Sequence, residues 1–301
     1  MPNAPIAVFV YKRLEPLKAT IASLAKNTWA QQSELYIFSD GAGHPKDEKL
    51  VQEVRDFLKT ITGFENVTIV LSEGNKGLAT SIILGVSKVF ETFDRIIVLE
   101  DDLISSPNFL VYMNSALEYY KDRPEIFSIA GYSPSVNFPD DYTYDVYFTQ
   151  RASSWGWATY RKQWEGVDWK VKGYKKFKTN FLAQLRFNRM GSDMSGMLAK
   201  QMKGKLDSWA IRWCFHQFQH NLYTVFPKKS KIVNIGFTAQ ATNTNNTKLE
   251  LRFATALDAT NQQNFNFKDN VALTQCIVNQ FIRPYSLKTR VLSKIRIILG
   301  R

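Results

Sequence analysis

Four short apolar runs, each followed by a turn and then by apolar residues at helical spacing, fill roughly the first hundred residues of this chain. Pro5 to Tyr11, Glu34 to Phe38, Val67 to Leu71 and Arg95 to Leu99 are too short for helices and read as strands. Between them lie three helical stripes: Leu14, Leu17, Ile21 and Leu24; then Leu50, Val51, Val54, Phe57, Leu58 and Ile61 in a helix from about Pro45 to Ile61; then Leu78, Ile82, Val86 and Val89. Strand and helix in strict alternation require an α/β fold with a right-handed, mostly parallel sheet flanked by helices. Ile96 to Leu99 has no polar face, so that strand is expected in the middle of the sheet.

Three carboxylates stand at its end, Glu100, Asp101 and Asp102. In an open α/β sheet the carboxyl ends of the strands face the ligand crevice. Adjacent like charges raise one another's pKa unless a cation sits among them, and a hard divalent metal suits such oxygen donors. The helix that follows, Pro107 to about Lys121, does not need them, because Ser106 reads as its N-cap and Pro107 as its first residue. The other strand ends offer Tyr11, Lys12 and Arg13, then Asp40, then the turn Gly74-Asn75-Lys76-Gly77. Each is a candidate ligand contact and equally readable as surface charge or turn chemistry.

The chain has 301 residues, 45% of them hydrophobic, enough for a full core. No run approaches the roughly 18 apolar residues of a membrane span, and the start lacks a secretory pattern, so a cytoplasmic protein is expected. Cys214 and Cys276 read as reduced core residues. The net charge of +12 is unevenly divided: residues 1 to 145 carry −7 and residues 146 to 301 carry +19. An acidic half beside a basic half suggests a metal-borne ligand on one side and an anionic surface or substrate on the other.

Further strands are expected at Ile126 to Tyr132 and Val146 to Thr149. The segment from Ser153 to Trp164 holds Trp155, Trp157, Tyr160 and Trp164, a sugar-stacking platform or core filling. Residues 161 to 189 carry nine basic and two acidic residues, a basic surface. Leu206-Asp207-Ser208-Trp209 opens an aromatic helix, with Asp207 as its cap or as a functional acid. His216 and His220 have i, i+4 spacing, but position 217 is Gln where a zinc-protease helix has Glu, which favours packing or an acceptor contact over a metal. The end of the chain sets Leu287, Val291, Ile295, Ile298 and Leu299 in a stripe among six basic residues and no acid, a basic amphipathic helix suited to an anionic membrane or to its own domain.

In their order these motifs resemble the GT-A fold nucleotide-sugar glycosyltransferases, in particular the inverting N-acetylglucosaminyltransferase I type and bacterial family 2-like relatives. The resemblance runs from Val8 to about Gly236. It implies that Arg13 and Asp40 hold the nucleotide, that Glu100 and Asp101 contact ribose and sugar, and that Asp102 ligates Mn2+ or Mg2+. It implies too that Trp155, Gly156 and Trp157 line the sugar site and that Asp207 is the catalytic base. Tyr11, Asn75, Lys76 and Gly77 fall in the nucleotide-sugar site by the same likeness. Asn75 and Lys76 stand where some members have a His, and Ala241-Thr242-Asn243 follows where bacterial relatives often have Thr-His. The expected enzyme is an inverting hexosyl- or N-acetylhexosaminyltransferase that takes a nucleotide-diphosphate sugar, UDP-sugar favoured, to a glycan or lipid-linked acceptor in cell-surface polysaccharide synthesis. The expected organisation is one domain over residues 1–280, with a nucleotide-sugar half (1–132) and an acceptor half (133–280), then a membrane-facing tail (281–301). A sugar nucleotidyltransferase would share the fold class but lacks here a Gly-rich basic loop after the first strand. A nucleic-acid or anion-binding module would explain the basic half, but the carboxylate triplet speaks against nucleic acid.

Overall fold

The computed structural model describes residues 2–236 and 252–298 of the chain. Its centre is one eight-stranded sheet. Strands β1 (Ile6–Val10), β2 (Glu34–Ser39), β3 (Asn66–Leu71) and β4 (Arg95–Glu100) are parallel and lie in the order β3-β2-β1-β4. Helices α1 (Leu14–Ala25), α2 (Glu48–Leu58) and α3 (Leu78–Val89) make the crossovers. All five residues of β1 are buried, as are Ile96 to Leu99 of β4, so this pair forms the double-covered centre that the apolar runs require. The chain leaves β1 to one side and returns at β4 on the other. The carboxyl ends of these two strands therefore form the switch point where such sheets bind ligands.

The short strand β5 (Leu103–Ser105) stands directly after the carboxylates, where only a turn to the next helix was expected. Helix α4 (Phe109–Tyr119) then begins two residues later than expected, with Asn108 rather than Ser106 at its N-cap. Past β4 the sheet continues as β8-β6-β9-β7, made of β6 (Ile126–Ala130), β7 (Val146–Thr149), β8 (Trp157–Tyr160) and β9 (Tyr223–Pro227). Strand β8 runs antiparallel between β4 and β6, and β7 runs antiparallel to β9. One sheet thus crosses residue 132, and the two expected halves share a core. Four Trp side chains, at 157, 164, 209 and 213, pack together on one face with ring centroids 4.8 to 6.2 Å apart.

Between β8 and β9 lie α5 (Arg161–Glu165), α6 (Tyr174–Thr179), α7 (Phe181–Phe187), α8 (Met194–Met202) and α9 (Trp209–Gln219). After β9 come β10 (Ile232–Asn234), α10 (Gln275–Phe281) and α11 (Leu287–Ile298). The expected boundary at residue 280 does not hold as a break in packing. The Tyr285 carbonyl accepts from the Ser192 amide and hydroxyl, Arg151 stacks on the Tyr285 ring at 3.7 Å, and Arg290 donates to Ser192 Oγ at 3.0 Å. The side chains of Ile295, Ile298, Leu299, Lys294, Arg296 and Arg301 lie outside the described residues, as do Ala241, Thr242 and Asn243. Cys214 is buried and Cys276 exposed, both as free thiols. Cys276 is thus not the core residue expected of it.

Strand β10 pairs antiparallel with β5, which sets Asn234 opposite Leu103 and beside the carboxylates. Its anchor is a buried ion pair. Lys231 Nζ meets Asp258 Oδ2, with 3% and 1% of the side chains exposed, and Asp258 also accepts from Thr260 and Asn108. Lys231 and its hydrogen-bonding neighbours hold the Asp258 carboxyl down at about 2 against the cost of burial. Removing one partner of such a pair leaves a buried, uncompensated charge. Lys231→Met is expected to lower urea-unfolding stability by about 3–5 kcal/mol, and the double variant Lys231→Met/Asp258→Asn to recover most of that loss. A single variant as stable as the wild type would contradict this anchor.

Candidate active site

A cavity of about 710 Å3 opens at the switch point. Phe9 and Phe38, stacked at 4.9 Å, belong to its lining, and the turns after β1, β2, β3 and β4 supply its polar groups. Tyr11, Arg13, Asp40, Asn75, Gly77, Glu100, Asp101, Asp102, Trp155 and Asp207 all reach it. The turns after β1 to β4 meet there because those four strands are parallel, and Trp155 and Asp207 join them from the segments before β8 and α9.

Arg13 is the cation among the carboxylates. Its guanidinium bonds to Asp101 Oδ1 and, at 2.7 Å, to Asp102 Oδ2, with all three side chains nearly buried. The need for a cation that adjacency implied is thus met partly by the protein itself. Burial pushes the Asp101 carboxyl up to about 6 even though Arg13 opposes the rise. Glu100 has no such partner in contact. Burial first, then Asp102 and Asp101, carry its carboxyl up to about 8.

Asp102 is enclosed by the segment after β10. The Ile235 amide donates to its carbonyl at 2.9 Å, and Asn234 Nδ2 donates to Oδ1 at 3.3 Å. A Cβ at Gly236 would overlap Asp102 Oδ2, so only glycine admits this approach. Asn234 and Gly236 were not foreseen as site residues; their signal, a strand end followed by glycine, is too common to single out. Among the described residues no group of three or more His, Cys, Asp or Glu side chains could hold a metal. The chemistry of the donor set still fits one class of ion. Mn2+ and Mg2+ are commonly held by one or two carboxylates together with substrate phosphates and water, and Asp102 with Asp101 beside it offers that much.

Asp40 and Asp207 converge on the N-terminus of α3. Gly77, its N-cap, lies at φ +76° and has no side chain to satisfy the first amides. Asp40 accepts from Lys76 N at 2.9 Å and Gly77 N at 3.1 Å, and its Oδ1 from Gly41 N at 3.0 Å. Asp207 Oδ2 accepts from Ala79 N at 3.3 Å. The cap of α9 is Ser208, whose hydroxyl accepts from Ile211 N, so the capping role open to Asp207 serves a different helix. Its other oxygen, Oδ1, accepts no hydrogen bond among the described residues, and Asp207 belongs to the cavity lining.

Tyr11 and Asn75 brace the segment after β2. The Tyr11 hydroxyl donates to Asp47 Oδ2 at 3.0 Å and accepts from Gly43 N, while Asn75 Nδ2 donates to the Gly41 carbonyl at 2.9 Å. Lys12 pairs with Asp47 at 2.9 Å, and this hydrogen bond leads the causes that lower the Asp47 carboxyl. Three expected residues stand away from the cavity lining. Lys76 is exposed and reaches the site only through its backbone amide. Trp157 is buried in β8 among the other tryptophans, and Gly156, at φ +59°, packs so closely on Ile232 that a Cβ would lie 2.6 Å from it. Of the aromatic segment, Trp155 faces the cavity, with Tyr132 4.7 Å and Phe253 5.7 Å away between ring centroids. His216 is buried against Phe127, and burial lowers its imidazole to about 4, which makes it a neutral packing group.

Set beside known proteins, the sequence matches the family described as Glycosyl transferase family 2 over residues 6–195. Among solved structures it is similar to S. aureus TarS, with 12% identity and a TM-score of 0.30 over 45% of this chain; the match spans 23% of TarS. A search of curated proteins finds no match.

Glu100 gives the site a pH signature. Below its ordinary value of 4.5 the group is protonated folded or unfolded; from there to about 8 the folded chain keeps a proton that the unfolded chain releases. Its contribution to stability is therefore lost as pH rises through that window. Without metal or nucleotide, Glu100→Gln is expected to match the wild type in urea unfolding below pH 4.5 and to exceed it increasingly up to about pH 8. Parallel stability curves across that range would contradict the assignment.

Proposed function

The chain belongs to glycosyl transferase family 2, and we propose that it transfers a sugar with inversion from a nucleotide-diphosphate sugar to an acceptor hydroxyl. The observation that carries this reading is a single cavity lined by both the Arg13–Asp101–Asp102 group and Asp207. A donor diphosphate is an anion, and Arg13 is the basic group in that cavity best placed to meet it. Tyr11, Asp40 and Asn75 hold the turns that would shape the nucleotide pocket. Asp102 would hold Mn2+ or Mg2+ jointly with the donor phosphates, and an ion so bound neutralises charge on the departing diphosphate.

The acceptor hydroxyl attacks the anomeric carbon and gives its proton to Asp207. The bond from that carbon to the phosphate oxygen breaks, and nucleoside diphosphate leaves with the electron pair. Ala79 N fixes Asp207 Oδ2 and so leaves Oδ1 to receive the proton. Attack from the face opposite the departing diphosphate, assisted by this one base, inverts the anomeric carbon. Trp155, beside Tyr132 and Phe253, offers an aromatic face to a sugar ring. A UDP-hexose or UDP-N-acetylhexosamine as donor, and a glycan or lipid-linked acceptor in cell-surface polysaccharide synthesis, complete the reading. So does peripheral contact of α11 with an anionic membrane: Leu287, Val291 and Leu292 are exposed on its first turns, and no helix among the described residues is long and apolar enough to cross a membrane.

Asp207→Asn keeps a capping oxygen for Ala79 N but cannot take a proton at neutral pH. The variant is expected to keep near-wild-type melting and donor affinity while transfer falls by at least about a hundredfold. Full activity would reduce Asp207 to a cap and make Asp193 the next acid to test, although Arg151 already holds it in a two-pronged ion pair at 2.8 and 2.9 Å. Calorimetry should also find Mn2+ binding to the protein with UDP present and none with the ion alone, since no group of three or more metal-binding side chains is formed among the described residues. Equal binding in both cases, or loss of no affinity in Asp102→Ala, would contradict Asp102 as the shared ligand.

A further inference from the structure

The two most exposed large apolar side chains among the described residues are neighbours. Phe181 and Leu182 are each 70% exposed at the start of α7, and Leu185, one turn on, is 49% exposed. They are not loosely held. Asn180 caps α7 by accepting from Ala183 N at 2.9 Å, and Gln184 ties back to the Lys178 carbonyl at 2.8 Å. Beneath them Phe177 and Phe187 pack edge to face at 5.6 Å and both lie on Phe215. The hairpin of α6 and α7 therefore satisfies its core with Phe177 and Phe187 and presents three further apolar groups outward.

Exposed cations flank them in the chain. Lys172, Lys175, Lys176 and Lys178 precede the tip, Arg186 and Arg189 follow it, and all six are exposed. Residues 169 to 192 include seven Lys or Arg and no Asp or Glu. A soluble surface would scatter such apolar groups and mix its charges. Large apolar side chains on a capped helix start, flanked in the chain by exposed cations with no acid from residue 169 to 192, match the two layers of an anionic lipid surface: acyl boundary for Phe181 and Leu182, headgroups for the lysines and arginines. We propose that the α6–α7 hairpin is a docking surface for anionic lipid bilayers. It is separate from α11, to which it connects through Ser192, three residues past Arg189 and bonded to Arg290. Helix α8, next in the chain, supplies Met197 to the catalytic cavity, so docking the hairpin would bring that cavity close to the bilayer. The proposal deepens the membrane contact of the proposed function but does not rest on glycosyl transfer.

The test is co-sedimentation of the full chain with vesicles of phosphatidylcholine alone or with a phosphatidylglycerol fraction, read beside melting temperature. Three proteins are compared: wild type, Phe181→Ser/Leu182→Ser, and Lys175→Glu/Lys176→Glu/Lys178→Glu. Both variants alter exposed side chains, so unchanged melting is expected. The wild type should bind the anionic vesicles and bind neutral ones weakly, and each variant should lose at least about tenfold in anionic-vesicle affinity. Vesicle binding by both variants equal to wild type would overturn the proposal, because α11, intact in each, would then carry the contact. Absent vesicle binding with self-association that Phe181→Ser/Leu182→Ser abolishes would overturn it too, and would make the patch an interface between copies of this chain.

Discussion

One arginine among three carboxylates is the interaction on which the site depends. Placing Glu100, Asp101 and Asp102 at the end of a strand buried on both faces is costly, and Arg13, from the end of the neighbouring strand, offsets much of that cost. The same pairing holds the β1 and β4 turns against each other at the switch point. The α3 N-terminus works in a similar way. Gly77 cannot cap it, so Asp40 from one side and Asp207 from the other supply the acceptors, and the turn after β2 is thereby tied to the segment before α9.

Much of the fold was legible because its signals are local. The runs of β1 to β4 and the stripes of α1 to α3 each declare themselves within a dozen residues, and their alternation determines handedness and parallel order. Strands β5, β8 and β10 were harder. They are three or four residues long, and their identity depends on distant partners: β5 on β10, and β8 on β4 and β6. Trp157 shows the cost of reading composition without register. Its cluster is equally consistent with a sugar platform and with a core, and pairing with Val98 and Ala130 puts it in the core.

For the site, strand ends located Tyr11, Arg13, Asp40 and the carboxylate triplet, and the cavity gathers them all. The partners of those residues were not legible. Arg13 was readable equally as a ligand contact or a surface charge and Asp207 as a cap or a functional acid, whereas each meets a group 88 to 128 positions away. Asn234 and Gly236 enclose Asp102 only because β10 lies along β5, a pairing no local pattern announces. The charge division mapped onto the fold only in part: the acidic half supplies most of the polar groups of the cleft, but Asp207 and Asn234 come from the basic half, and seven of that half's 26 Lys and Arg residues lie between residues 169 and 192.

The central claim is direct displacement at the anomeric carbon with Asp207 as the one base. It can be tested without knowing the acceptor, since water substitutes slowly for it in many transferases. Proton NMR of the sugar first released from a UDP-sugar, recorded before mutarotation, reports the configuration of that carbon. Inversion relative to the donor is the predicted result. Retained configuration would contradict the account, because it requires a second displacement or a frontside attack that a single opposing base does not explain.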